Sequence, residues 1–450
     1  MKIAEMRLTP IAMADPPLLS SYGLHAPYAL RTIVELVSED GLVGIAETHG
    51  GAGPLGDLER ARPLVIGRKA FDLARLRLAI EGDASNPPHP ATADVGAAAK
   101  TDPDPNALPA QTYTLPGEGR LDAPLRVYAA LEVAAHDLIG RAIGVPVCDL
   151  LGGRVRDEVP FSAYLFFKQA GGGGGDDDAR ADRWGPALDP SAIVAQARQM
   201  IAEYGFGSVK LKGGVFPPAQ EIAAMLALRD ALGPDTPLRI DPNAAWTVPT
   251  AIRVGTALAG ALEYLEDPTP TLAGMARVRH GLLEAGIDTP LASNTSVTSF
   301  ADVPDVVRGG AVGVILSDHH YWGGLRAIVQ LGRLCETFGV GLSMHSNSHL
   351  GLSLLAMVHL AAATPHLTFA SDTHYPWQDG ADEILDGGRV PFTNGAVRVP
   401  TGPGLGATLD RDALARGRER YDRCGYRNRD DAAEMRRHID PAWRRVVPRW

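Results

Sequence analysis

Six short apolar runs in this 450-residue chain each close on residues that can do chemistry. The first closes on Lys210-Leu211-Lys212; the next five close on Asp241, Glu266, Asn294, Asp318 and His345, with successive spacings of 25, 28, 24 and 27 residues. Each spacing fits one strand plus one helix, so these residues are expected at neighbouring strand ends of a parallel sheet. Side chains alternate along a strand, which puts Lys210 and Lys212 on the same side. Asp241, Glu266 and Asn294 offer three hard oxygens with no Cys or His beside them, a donor set that suits Mg²⁺. Asp318 and His345 form a carboxylate–imidazole pair in which the acid holds the ring in one tautomer and raises its basicity. A hard cation between a lysine and a His–Asp pair suits removal of a proton from a carbon beside a carboxylate, because the resulting dianion needs positive charge. Lys212 and His345 would then be bases on opposite faces of that carbon, with Lys210 contacting the carboxylate.

Each residue alone has a plainer explanation. A lysine pair is commonly a solvated strand edge, Asp241-Pro242 and Asp267-Pro268 can simply start turns, and His345 has His319, His320, His349 and His374 as competitors. Recurrence at successive strand ends is what argues for a site.

The elements that must position these residues are eight candidate strands: Ser162 to Phe167, Ser208 to Lys212, Leu238 to Asp241, Leu262 to Glu266, Pro290 to Asn294, Gly313 to Asp318, Gly341 to His345 and Leu367 to His374. Amphipathic stretches separate them, which predicts an α/β parallel sheet, and eight runs suggest closure into a barrel. An open doubly wound sheet competes, but the glycine-rich phosphate fingerprint often found after its first strand is absent, and AGGGGGDDD (Ala170 to Asp178) reads as a loop whose aspartates repel phosphate. Upstream, Met1 to about Ile80 suggests an antiparallel sheet, with Arg31 to Gly51 as two strands joined by an Asp-Gly turn. Gly82 to Gly119 is dense in Pro, Ala, Asp and Gly and reads as a long loop, and Leu125 to Gly144 reads as a connecting helix. The expected organisation is an N-terminal α+β capping domain over 1–150, a barrel over 151–400, and a segment over 401–450 that returns to the cap.

Composition narrows the function classes. The chain is 45% hydrophobic and 21% charged, with a formal net charge of −10 and no basic patch, which disfavours nucleic acid and anionic membranes. No run is apolar enough for a membrane span, and the N-terminus lacks the continuous apolar stretch of a secretory signal. Cys148, Cys335 and Cys424 are an odd, scattered set without CxxC spacing, which fits a reducing, cytoplasmic setting and no disulfide framework.

The motifs KLKGGV (Lys210 to Val215), IDPNAAW (Ile240 to Trp246), LEDP (Leu265 to Pro268), ASN (Ala292 to Asn294), SDHHYWGG (Ser317 to Gly324) and MHSNSH (Met344 to His349) resemble the enolase superfamily, and within it the glucarate dehydratases. YLFF (Tyr164 to Phe167) and RDDA (Arg429 to Ala432) also look like that family, and the resemblance begins at Gly23. It implies a modified TIM barrel of (β/α)7β type with an α+β cap. It implies Mg²⁺ on Asp241, Glu266 and Asn294, bases at Lys212 and His345, and assistance from Lys210 and Asp318. His25, Tyr164, Phe166, Asn243, Ser346, His374 and Arg429 look like substrate contacts. The implied reaction is dehydration of D-glucarate, and of L-idarate, to 5-dehydro-4-deoxy-D-glucarate, with His345 also protonating the departing hydroxyl. The partners implied are a small sugar diacid and further copies of the chain in a homo-oligomer. For the hydroxyl residue that the family carries before the connecting helix, Thr112 and Thr114 are candidates, while Asp122 and Ala123 hold the nearest aligned positions. Two other readings remain: a dehydratase or epimerase for a different diacid, and a non-catalytic sugar-acid-binding paralogue. An RDD surface ion pair is the plain alternative for Arg429.

Overall fold

The computed structural model describes residues 1–82, 123–175 and 177–450. The loop expected over 82–119 lies outside these residues except for Gly82, as do Thr112, Thr114 and Asp122.

The N-terminal elements are β1 (Ile3–Ala14), the short ladder β2 (Leu19–Ser20) and β3 (Gly23–Leu24), then β4 (Tyr28–Ser38) and β5 (Val43–His49). Strands β1, β4 and β5 form an antiparallel sheet in that order. The Asp-Gly turn joins β4 to β5 as expected, with Gly41 at φ 80, a left-handed angle that glycine adopts without a Cβ penalty. The expected sheet does not run on to Ile80. Helices α1 (Ala52–Val65) and α2 (Leu73–Glu81) occupy that stretch, because Leu58, Ala61 and Val65, then Leu73, Leu76 and Ile80, bury one face at helical spacing. Helix α3 (Ala123–Ile143) is buried along almost its whole length, and α4 (Val147–Leu150) follows it.

Eight parallel strands come next: β6 (Glu158–Phe166), β7 (Val209–Lys212), β8 (Leu238–Asp241), β9 (Tyr264–Glu266), β10 (Leu291–Ser293), β11 (Val314–Ser317), β12 (Gly341–Met344) and β13 (Ser371–Asp372). Between them lie α5 (Pro190–Tyr204), α6 (Pro218–Leu232), α7 (Val248–Ala257), α8 (Leu272–Glu284), α9 (Val303–Gly309), α10 (Leu325–Phe338) and α11 (Gly351–Ala362). Each strand from β6 to β12 pairs in register with the next, and β13 pairs with β6. The backbone N–H groups of Thr368 and Phe369, just before β13, reach Leu342 O in β12 at 3.2 and 3.3 Å, which brings the two ends of the sheet together. Eight strands with seven intervening helices make the α/β architecture a modified TIM barrel of (β/α)7β type. The last strand is two residues long, against the eight expected over 367–374, since Leu367 to Ala370 approach it as irregular chain.

Local chemistry sets the element ends. Asp189 accepts Ala192 N–H at 3.0 Å and Pro190 opens α5, which Gly205 closes in the left-handed conformation at φ 76. After the barrel, β14 (Ala396–Arg398) pairs antiparallel with the start of β6, and the chain turns back to the N-terminal sheet. Helix α12 (Arg411–Arg423) lays Gly417 against Ile11 of β1 and Arg420 reaches Ala12 O at 3.1 Å, while α13 (Asp431–His438) meets β3. At Gly23 a Cβ would lie 2.3 Å from Asp431 O, so only glycine admits that approach. Among the described residues no helix is long and apolar enough to cross a membrane.

Candidate active site

Register puts the chemistry on one level. Phe166 pairs with Lys212 and Lys212 with Asp241 across β6, β7 and β8, while Tyr164 pairs with Lys210 one alternation below. The two lysines therefore share a face, as their spacing predicts, yet they differ in environment. Lys210 is fully buried, with Nζ 2.7 Å from Glu266 Oε1 and 2.6 Å from Asp372 Oδ2. Burial opposes its charge, but Asp372 and Glu266 outweigh that and hold the ammonium well above its ordinary value. Lys210 is thus a cation fixed by Glu266 and Asp372. Lys212 keeps a 9% exposed side chain and a 2.5 Å contact to Asp241 Oδ2.

Two of the expected oxygen donors, Asp241 and Glu266, come together, and Asp267 joins them. Carboxylate oxygens of Asp241, Glu266 and Asp267 all lie within 4.8 Å of one another. Asp267 is already engaged: its oxygens accept from Ser293 Oγ at 2.6 Å and from the backbone N–H groups of Asn294 and Thr295 at 2.9 and 3.1 Å. Asn294 Oδ1, by contrast, is buried with no hydrogen-bond partner. Burial, together with the Asp241 charge, pushes the Glu266 carboxyl well above its ordinary value despite Lys210. Two converging carboxylates, one of them short of compensating charge, with an orphaned amide oxygen just after β10, the strand paired with β9, fit a hard divalent cation such as Mg²⁺.

His345 Nδ1 lies 3.0 Å from Asp318 Oδ2, so the pair expected from sequence forms across β11 and β12. Burial alone would raise the Asp318 carboxyl, but His320 and His345 hold it well below the usual carboxylate range. Because Asp318 only accepts, Nδ1 of His345 carries the proton, and the assigned tautomer leaves Nε2 basic.

The remaining candidates form a ring-lined wall. Tyr164 and Phe166 have centroids 4.7 Å apart, His374 lies 4.8 and 5.2 Å from them, and His25 meets Phe166 at 5.8 Å. Lys210 and Lys212 ammonium groups sit 4.8 and 5.7 Å from the Tyr164 ring centre, which ties this wall to the lysine pair. Ser346 Oγ accepts the His374 backbone N–H at 3.1 Å, and Asn243 donates to Asp241 through both its backbone and its amide. Burial and the neighbouring His25 keep His374 well below the ordinary imidazole value, hence neutral. Arg429 forks onto Asp431 at 2.7 and 2.6 Å, the ion pair that its RDD context allowed, and its side chain is 41% exposed at the rim.

Sequence reasoning missed four supporting residues. Asp372 ends the eighth strand and had a signal there, but nothing local links it to Lys210. Asp267 was read as a turn former beside Glu266. Glu221, in the first turn of α6, accepts the backbone N–H groups of Gly214, Val215 and Phe216 and so shapes the loop after Lys212. Glu47, from the N-terminal sheet, accepts Leu350 and Ser353 N–H groups and holds the loop after His345.

A family model described as "Enolase C-terminal domain-like" matches residues 192–413. A probable glucarate dehydratase of Streptomyces coelicolor is 47% identical, with the match covering all of this chain and 99% of the relative. The chain belongs to the enolase superfamily. Among solved enolase-superfamily structures, a protein of Thermobispora bispora complexed with magnesium and formate is 50% identical, with TM-score 0.86 and full coverage of both chains. Another, from Pseudomonas fluorescens Pf0-1 with magnesium, potassium and tartrate, is 45% identical, with TM-score 0.89 over all of this chain and 99% of that one. With the relative named a probable glucarate dehydratase and the magnesium held by the solved structures, this membership makes the chain a Mg²⁺-dependent lyase similar to the dehydratases.

Proposed function

We propose that this enolase-superfamily member dehydrates a six-carbon sugar diacid, D-glucarate or L-idarate, to 5-dehydro-4-deoxy-D-glucarate. One observation carries the proposal: two bases of different type, Lys212 and the Asp318-held His345, lie at strand ends of the barrel that also brings the carboxylates of Asp241 and Glu266 together. The relative named a probable glucarate dehydratase and the neighbour holding tartrate, itself a diacid, support the substrate class.

In this reading Asp241, Glu266 and Asn294 hold Mg²⁺, whose positive charge, when bound, stabilises the dianion of a deprotonated carbon acid. The protein's own residues do the rest. Lys212 Nζ or His345 Nε2 takes the α-proton, according to the configuration of that carbon. The electron pair released from the C–H bond forms a carbon–carbon double bond as the β C–O bond breaks. His345 gives the departing hydroxyl a proton, the one it has just taken from carbon or, where Lys212 is the base, one it has taken from solvent beforehand, so that the hydroxyl leaves as water, and the enol that remains becomes the ketone. Lys210, fixed as a cation by Glu266 and Asp372, keeps the floor of the site positive. Neutral His374, with His25, Tyr164, Phe166, Asn243, Ser346 and Arg429, lines the substrate's path to the mouth. We propose further that 1–150 and 401–450 act as the cap over a barrel spanning 151–400, and that copies of the chain associate.

The test is incubation of the purified protein with Mg²⁺ and a panel of hexarates, following keto-acid formation against an EDTA-treated control. Metal-dependent keto acid from glucarate or idarate is the expected result. Deuterium exchange at the α-carbon with no keto acid from any hexarate would reassign the site to epimerisation. Lys212→Ala is expected to abolish α-proton exchange from one epimer while His345 continues it from the other; loss of neither would overturn the two-base assignment.

A further inference from the structure

A carboxylate has two oxygens, and at Asp318 each serves a different imidazole. Oδ2 accepts from His345 Nδ1 at 3.0 Å; Oδ1 accepts from His320 Nδ1 and from the His320 backbone N–H, both at 2.8 Å. The proton on His320 therefore sits on Nδ1, which leaves Nε2 to accept. Two donors face that nitrogen, Ser353 Oγ at 3.1 Å and Arg31 Nη2 at 3.4 Å. Arg31 lies on β4 of the N-terminal sheet and is held by Glu47 of β5, Nε to Oε1 at 2.8 Å. His319 packs on the His320 ring at 3.9 Å between centroids and His49 at 4.9 Å. Every one of these residues is buried except His49, while the His345 side chain keeps 14% exposure toward the mouth.

We propose that His320 is a positioning residue for the His345 base. The inference rests on the two-base function proposed above. With Oδ1 pinned by two N–H groups of His320, the Asp318 carboxylate cannot rotate away from His345, so the imidazole keeps both its plane and its tautomer. Ser353 Oγ and Arg31 Nη2, both at Nε2, hold the His320 ring from its other edge. The N-terminal sheet thereby reaches the base through one hydrogen-bonded chain, from Glu47 through Arg31, His320 and Asp318 to His345.

The experiment measures α-carbon deuterium exchange by the Mg²⁺-loaded enzyme for each α-epimer of the hexarate, in the wild type and in Lys212→Ala, His345→Asn, His320→Ala and His320→Asn. His320→Ala is expected to slow the epimer lost in His345→Asn by about tenfold or more. It is expected to leave the epimer lost in Lys212→Ala within about twofold, which a general structural weakening would not do. His320→Asn, whose amide can still donate to Oδ1, is expected to recover most of the lost rate. Should His320→Ala fail to fold, His320→Gln takes its place, because its longer side chain carries the amide past Oδ1, and the same split is expected. Equal slowing of both epimers, or of neither, overturns the positioning role alone. If Lys212→Ala and His345→Asn do not separate the epimers, the two-base function falls, and the role of His320 with it.

Discussion

Three of the five non-glycine residues with left-handed backbone among the described residues sit at the oxygen donors: Asn243 at φ 45, Ala244 at φ 62 and Asp267 at φ 33. Such conformations cost roughly 1–3 kcal/mol each and persist only where the surroundings enforce them. Here Ala244 N–H bonds to Asp267 O at 2.7 Å, so the loops after β8 and β9 enforce each other. Turned back by this geometry, the Asp267 carboxylate accepts from Ser293, Asn294 and Thr295 and so fixes the backbone at Asn294. Asp267→Asn places an amide against N–H donors that need an acceptor. Mg²⁺ affinity is expected to weaken by about ten- to a hundredfold, read by calorimetric titration, with the fold retained. The donors themselves were legible in the sequence because each closes an apolar run. Asp267 was not, since an acid before proline is what any turn could carry, and only the register of β9 with β10 gives it a task.

Helices α3 and α10 illustrate how elements far apart in sequence hold the site still. Glu132, fully buried on α3, accepts the backbone N–H groups of Leu325 and Arg326 at 2.9 and 3.1 Å, and so caps the N-terminus of α10. Gly324 makes room for it: at φ 92, a Cβ there would stand 2.5 Å from Glu132 Oε2. Glu132→Ala leaves the buried Leu325 N–H and the half-buried Arg326 N–H without this acceptor and is expected to cost about 1–3 kcal/mol in urea unfolding. The same helix ties down the chain's return, since Asp137 accepts Ile45 N–H from β5 and Leu405 N–H from the C-terminal segment. Helical periodicity made α3 readable within two residues of its observed start and one of its end. The helices over 52–65 and 73–81 were read as sheet, because adjoining strands of strong alternation drew the pattern forward.

At the scale of the whole molecule, the barrel is crowded with histidines that burial keeps neutral. His349 and His359 are pushed down to about 4, and His319 and His374 lie well below the ordinary value, with desolvation the leading cause in each. The unfolded chain binds these protons near pH 6.5, while the folded chain refuses them until about pH 4. Their contribution to stability is therefore complete above pH 6.5 and is lost progressively as pH falls from 6.5 toward 4. Urea unfolding at pH 7 and pH 5 is expected to show the decline. In His359→Gln, at a residue on α11 whose Nδ1 accepts Cys148 N–H at 3.3 Å, the decline between those pH values is expected to be shallower.

What the sequence by itself determined was the kind of barrel and the level at which its chemistry lies. Strand-end residues recur once per βα unit and alternation orients the lysine pair, and both are local periodicities that a single chain carries. Only the tertiary structure decided which charge neutralises which. Lys210 became a fixed cation because Asp372, 162 residues away, closes beside it, whereas Lys212 faces the mouth. Asp318 came to serve two imidazoles and to connect with the N-terminal sheet because β11 and the β4–β5 pair meet in space. The physical reason is desolvation: a buried charge takes its properties from whichever partners the fold brings within about 3 Å, and that proximity depends on closure of the whole ring of strands.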